Sequence, residues 1–270
     1  MAKPKADLPA TIANEVAVVP EQQNGLPTSF QDTFEQHSGL GLESVTANDV
    51  LIPRLTILQA LSPQLNKNKP EFIKGAEVGQ ICDTAMGEVM PSPLRVVPVH
   101  YSVIYLEWAP RTSSRGLVGI HAKMPDGVTK NDKNQNVLPN GNNVVESAQF
   151  FCLLPDHGNR RVFLPMTSTQ RKKAKRWMAW ATGERLKNSA GREFIPPLYY
   201  RSYLLSSIHE NNQQGDWEGW VVERSLPVTE LPGTGDIITN AVEFQKSIAA
   251  GLVRGDQEAD PVSVDDAEAM

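Results

Sequence analysis

Leu94-Arg95-Val96-Val97-Pro98-Val99-His100-Tyr101-Ser102-Val103-Ile104-Tyr105-Leu106-Glu107-Trp108 is the stretch on which the fold turns. β-Branched and aromatic residues dominate it, and such side chains pack well on a pleated, half-buried surface. Side chains alternate across a strand. Val97, Val99, Tyr101, Val103 and Tyr105 are therefore expected on one face, with His100, Ser102, Ile104 and Trp108 on the other. Pro98 has no backbone N–H to give to a ladder, so it marks an edge or a bulge. Further strands are expected at 144–154, 161–165, 198–208 and 217–222. Residues 124–143, rich in Gly, Pro, Asp, Asn and Lys, read as a long exposed hairpin loop.

Helices are few in this reading. Thr167-Ser168-Thr169-Gln170 fits a capping box, and Gly183 is a natural stop. Between them Ala174, Trp177, Met178 and Ala181 recur at helical spacing and should face the core, leaving Arg171, Lys172, Lys175 and Arg176 outside. Residues 240–250 suggest a last short helix. Leu55, Leu58, Gln59 and Leu61 suggest a short amphipathic turn ahead of Ser62-Pro63, and Thr46 and Asn48 are plausible helix starters that Pro53 then interrupts. The expected architecture is mainly β (α+β), an OB-fold-like barrel with one or two short helices. It occupies residues 39–250, between a flexible, disordered arm at 1–38 and an acidic, disordered tail at 251–270.

Bulk properties set the class. Hydrophobic residues make up 40% of the 270, enough for a sizeable core. No run approaches the roughly 18 apolar residues that cross a bilayer, and the N-terminus lacks the apolar stretch of a secretory signal. Cys82 and Cys152 are too few for a disulfide framework and read as reduced core residues, which points to the cytoplasm and away from membranes. The net charge of -5 is unevenly spread. Residues 251–270 hold six acids against Arg254 alone, which accounts for all of it. Residues 1–40 contribute a further -3, leaving 41–250 at +3. Local charge governs phosphate contact, because screening limits its reach to about a Debye length.

Residues 156–201 carry the strongest functional signal. They hold eleven cations (Arg160, Arg161, Arg171, Lys172, Lys173, Lys175, Arg176, Arg185, Lys187, Arg192 and Arg201) against three acids. Trp177, Trp180, Phe194, Tyr199, Tyr200 and Tyr203 are interleaved with them. This chemistry suits single-stranded nucleic acid: cations track phosphates and release counterions, while unpaired bases stack on aromatic faces. The bland alternative is a solvated helix face over core aromatics, and Trp177 fits that description better than Trp180 does. A second cluster, Tyr101, Tyr105, Trp108, Arg111 and Arg115, places strand aromatics beside a basic turn, as in an OB-fold binding face. The expected contacts are Arg111, Arg171, Lys172, Lys175, Arg176 and Arg201 to phosphates, with Tyr101, Tyr105, Trp108, Trp180 and Tyr199 as stacking surfaces.

Enzymatic signatures are missing. The sequence has no Gly-x-x-x-x-Gly-Lys phosphate loop, Gly-x-Ser-x-Gly elbow or His-Glu-x-x-His helix, and its five histidines and two cysteines lack zinc spacing. No catalytic residue, metal or cofactor is expected.

Three stretches carry a resemblance: GLESVTANDVLIPRLTILQALSPQ (41–64), LRVVPVHYSVIYLEW (94–108) and PPLYYRSYLLSSIHENNQQGDWEGWVVE (196–223). In these the chain resembles single-stranded-DNA-binding proteins of tailed bacteriophages. The resemblance implies an OB-like core that coats single strands in phage DNA replication or recombination, in the host cytoplasm, and an acidic tail that engages replication or recombination proteins. Tails of that kind often end in an aromatic residue, whereas this one ends in Ala269-Met270. The tail can also act electrostatically, occupying a cationic groove until DNA displaces it. Homo-oligomerisation stays open on this reading. The rival readings are a phage structural or assembly protein and a strand-annealing recombination protein.

Overall fold

A computed structural model describes residues 28–37, 40–41, 43–44, 52–113, 115–212 and 215–253. The chain divides into two compact units between Ser44 and Val45. In the first, α1 (Thr28–Gln36) lies inside the segment expected to be an arm and carries exposed Phe30 and Phe34 on one face, with ring centroids 6.4 Å apart. The helix starters Thr46 and Asn48 lie outside the described residues, as does the acidic tail from Arg254 onward.

The second unit is mainly β. Its strands are β1 (Leu55–Ile57), β2 (Ile81–Asp83), β3 (Glu88–Val89), β4 (Leu94–Trp108), β5 (Leu117–His121), β6 (Thr129–Lys130), β7 (Asn136–Val137), β8 (Asn143–Leu154), β9 (Arg160–Thr167), β10 (Leu186–Lys187), β11 (Glu193–Phe194), β12 (Arg201–Asn212) and β13 (Gly215–Pro227). Two helices join them, α2 (Arg171–Gly183) and α3 (Thr234–Ala249). The main sheet runs β13-β12-β4-β8, with β9 beyond β8 and β5 on the far half of β4. It curls into a half-barrel.

β4 organises this sheet because it is long enough to serve two partners along one edge. β12 pairs with Leu94–Val96 of it and β5 with Tyr105–Trp108, while β8 follows the opposite edge from Val97 to Trp108. The register slips by one residue between Pro98 and His100, so Pro98 sits at a bulge in a central strand. That bulge overturns the expected facing. Val97 and Val99 point to one core, whereas Tyr101 crosses to the other and packs on Phe150. One extra residue exchanges the two faces from there on.

The half-barrel's inner core gathers Leu94, Val96, Phe150, Cys152, Leu164 and Tyr203 from the strands, and α2 fills it with Ala174 and Trp177. α3 covers the outer face, setting Ile237, Ala241 and Phe244 against Val97, Val99, Phe151, Leu153 and Phe163. Burying a large apolar side chain contributes about 1.5–3 kcal/mol, so these two layers dominate the fold's stability. Cys82 and Cys152 are free and buried, as the composition suggests.

Two local expectations change and a third holds. Leu55 and Ile57 alternate inward on a strand paired with β2, so no amphipathic turn forms there. No capping box forms at Thr167–Gln170 either. A 3-10 turn occupies Ser168–Gln170, and the Gln170 amide oxygen accepts the Trp220 N–H at 2.9 Å instead. Gly183 does end α2, as its last helical residue.

Side chains bridge the barrel's open side. β1 joins β9 through a parallel bridge between Arg54 and Phe163, extending the sheet past β9. From the β1–β2 connection, Gln59 donates to the Glu218 carbonyl at 2.9 Å and accepts the Glu218 N–H at 2.8 Å. Its amide thus stands in for a neighbouring strand at the edge of β13. The Ser207 hydroxyl donates to the Gly79 carbonyl on the same side.

Candidate nucleic-acid interface

Ion pairing divides the eleven cations of residues 156–201. Arg160 meets Asp83 and Glu88, Arg171 meets Glu146, Lys173 meets Glu210, and Arg201 meets Glu184. Looser pairs join Arg161 to Glu243 at 4.0 Å and Lys187 to Glu193 at 3.7 Å. The three acids counted within the segment are all engaged, Asp156 with Arg95, Glu184 with Arg201 and Arg224, and Glu193 with Lys187. Lys172, Lys175, Arg176, Arg185 and Arg192 form no ion pair among the described residues, and all five are exposed.

Helical geometry gathers the first three. Lys172, Arg176 and Trp180 follow one another four residues apart along α2, with Lys175 beside them. The Arg176 guanidinium lies 5.1 Å from the Trp180 ring centroid, a cation–π contact that holds both groups at the surface. Trp180 is half-buried against the inner core. Arg171, one residue before this row, turns inward. It is buried, pairs with Glu146 and donates to the Tyr101 hydroxyl at 3.4 Å. A guanidinium so engaged is not free for phosphate.

The β10–β11 hairpin continues directly from α2. Arg185 donates to the Thr182 carbonyl, tying the helix end to the hairpin entry. The Asn188 side-chain oxygen accepts the N–H groups of Ala190 and Arg192, and Gly191 supplies the positive φ of +77° that the turn needs. Phe194 and Ile195 stand 43% and 56% exposed at its end. Arg185, Arg192 and Phe194 thus join the surface that α2 begins. Asn188-Ser189-Ala190-Gly191 between Leu186-Lys187 and Glu193-Phe194 is the sequence signal that could have singled out this hairpin.

The remaining expected contacts fall elsewhere. Trp108 is only 6% exposed, because the bulged β4 turns it into the protein. It cannot stack on a base. Tyr101 is half-buried on Phe150, and Tyr105 sits between Glu146 and His121 in the strand register. Tyr199 is half-buried against the outer core. Arg201 pairs with Glu184, donates to the Ser225 carbonyl at 2.7 Å and lies over Tyr200. Arg111 begins a 3-10 turn, and its side chain lies outside the described residues. The two basic-aromatic clusters touch through Arg171 and Tyr101, in a part-buried hydrogen bond.

Electrostatics reinforce this division. Arg201, with Arg224 beside it, holds the Glu184 carboxyl below the usual carboxylate range. Hydrogen bonds from Asn142, His121 and Asn140 do the same for Glu107 at the β4–β5 end. Both carboxylates are therefore charged at neutral pH.

The second unit is thus a barrel-like β core with a row of cations that form no ion pair among the described residues, beside half-buried Trp180 and exposed Phe194. A family model matches residues 21–254, and the chain belongs to the Pam3 phage gp34-like protein family. No curated protein and no solved structure matches it. No helix among the described residues is long and apolar enough to cross a membrane.

Proposed function

We propose that the protein binds single-stranded DNA without sequence preference, through the outer face of α2 and the adjoining β10–β11 hairpin. One observation carries this reading: five of the eleven cations of residues 156–201, Lys172, Lys175, Arg176, Arg185 and Arg192, form no ion pair among the described residues and lie on one continuous length of chain with Trp180 and Phe194. Cations alone would suit any polyanion. Aromatic faces add an attraction for unpaired bases, at about 1–3 kcal/mol per stacked base whatever its identity. The role proposed is to cover strands during phage DNA replication or recombination. The acidic segment 251–270 acts as an internal competitor for the cationic face or as a contact for replication proteins. No catalytic group, metal or cofactor takes part.

Titration of the full chain with poly(dT), followed by tryptophan fluorescence, tests the proposal. Quenching is expected, with log K falling against log salt at a slope of about −3.5 if all five cations contact phosphate. A Lys172→Ala/Lys175→Ala/Arg176→Ala variant should flatten that slope by about 2. Absence of binding at low ionic strength overturns the reading. Annealing of complementary strands, assayed in parallel, separates strand coating from a recombination role.

A further inference from the structure

Two strands border the main sheet on the β12 side of β4. On β13, Gln59 bonds both the N–H and the carbonyl of Glu218 and Gln170 accepts the Trp220 N–H. Side-chain amides thereby cover that part of the β13 edge. β5, on the same edge of β4 as β12 but along its C-terminal half, pairs only with β4 among the described residues. Its sequence, Leu117-Val118-Gly119-Ile120-His121, has no lysine, acid or proline to discourage pairing. Val118 and Ile120 stand 43% and 52% exposed. His121, the one titratable residue of β5, is engaged with Glu107 at 2.8 Å across the ladder to β4.

We infer that β5 is a dimerisation edge, which pairs antiparallel with β5 of a second copy about a two-fold axis at Gly119. Antiparallel pairing with this centre sets Leu117 opposite His121 of the second copy, Val118 opposite its Ile120, and Gly119 opposite its Gly119. The sequence is complementary to itself in this register. Both Val118–Ile120 pairs join β-branched residues that are exposed in the single chain, and such cross-strand pairs contribute about 0.2–1 kcal/mol each. No like charges meet within the five paired residues, although the same register brings Arg115 of one copy towards Lys123 of the other just beyond them. The surface is isologous, so pairing closes at two chains and cannot propagate. Five residues per chain make a small interface, below the roughly 1,200 Å² of stable complexes, so the association is weak and depends on concentration. The paired residues, Leu117–His121, include none of the five cations of α2 and the β10–β11 hairpin.

Sedimentation of the full chain over a concentration series tests this, with Val118→Lys and Ile120→Lys as variants. A monomer–dimer equilibrium is expected, and each lysine should raise the dimer dissociation constant about tenfold or more. A wild-type chain that stays monomeric overturns the inference, and so does a dimer that survives both lysines. A second readout holds if a lysine variant folds poorly. Val118→Cys protein mixed with Ile120→Cys protein should form a disulfide-linked heterodimer under mild oxidation, faster than either variant alone. Equal rates in all three samples would contradict the register. The native Cys82 and Cys152 are buried and do not compete.

Discussion

Trp177 and Trp180 are three residues apart on α2 and meet opposite surroundings. Trp177 is fully buried, stacked on Phe150 at 4.1 Å with Tyr203 at 5.1 Å. Trp180 lies under Arg176 at the rim of the same core. Replacing Trp177 with Ala should cost about 3–5 kcal/mol of stability, because it opens a cavity among aromatic rings. Trp180→Ala and Phe194→Ala should each weaken poly(dT) binding by about 1–3 kcal/mol. Phe194→Ala should also leave the melting temperature close to wild type, since the exposed ring supports little of the core. Thermal melts run beside the titrations separate these outcomes. Unchanged binding in both variants would remove α2 and the hairpin as the stacking surface.

Among the elements, Glu184 joins three. It follows the last residue of α2 and binds Arg201 of β12 and Arg224 of β13, so one carboxylate fixes the helix end to the barrel wall. The Arg201 guanidinium keeps its folded-state pKa below the ordinary carboxylate value. A carboxylate lowered in this way binds fewer protons folded than unfolded as the pH falls. Its contribution to stability is full above the unfolded carboxylate range and disappears as the pH drops through the lowered value. Glu184→Gln should therefore be less stable than wild type at neutral pH, and the gap should close on acidification. Urea denaturation across that range measures it. A gap that is independent of pH would mean the carboxylate's charge is not what joins these elements.

For the whole molecule, the proposed function makes the acidic segment 251–270 a competitor for the cationic face of α2. Removing residues 252–270 takes away six acids and one arginine. Binding to poly(dT) should tighten at low ionic strength, and the gain should shrink as salt screens the competition. Equal affinity of the full and shortened chains at low salt would exclude electrostatic competition by the tail. Covering of strands and pairing through β5 would use different residues, so the two activities should vary independently.

Local chemistry made much of this protein legible in its sequence. The dense β-branched run at Leu94–Trp108, the strands that follow it and the amphipathic helix ending at Gly183 all appear, because alternation and helical periodicity are properties of neighbouring residues. The exposed row of Lys172, Lys175 and Arg176 follows from the same periodicity. Other features depended on residues far apart in the chain. The bulge at Pro98 moved Tyr101 away from Val97 and Val99, and the inward turn of β4 buried Trp108. Glu146, outside the basic segment, and Glu184, within it, drew Arg171 and Arg201 into ion pairs that a count of local charge does not assign. Sequence alone determined that this chain would build a mainly β core with basic, aromatic surface segments. Tertiary structure decided which cations remain unpaired, since a charge is neutralised by its neighbours in space, and those are set by strand register.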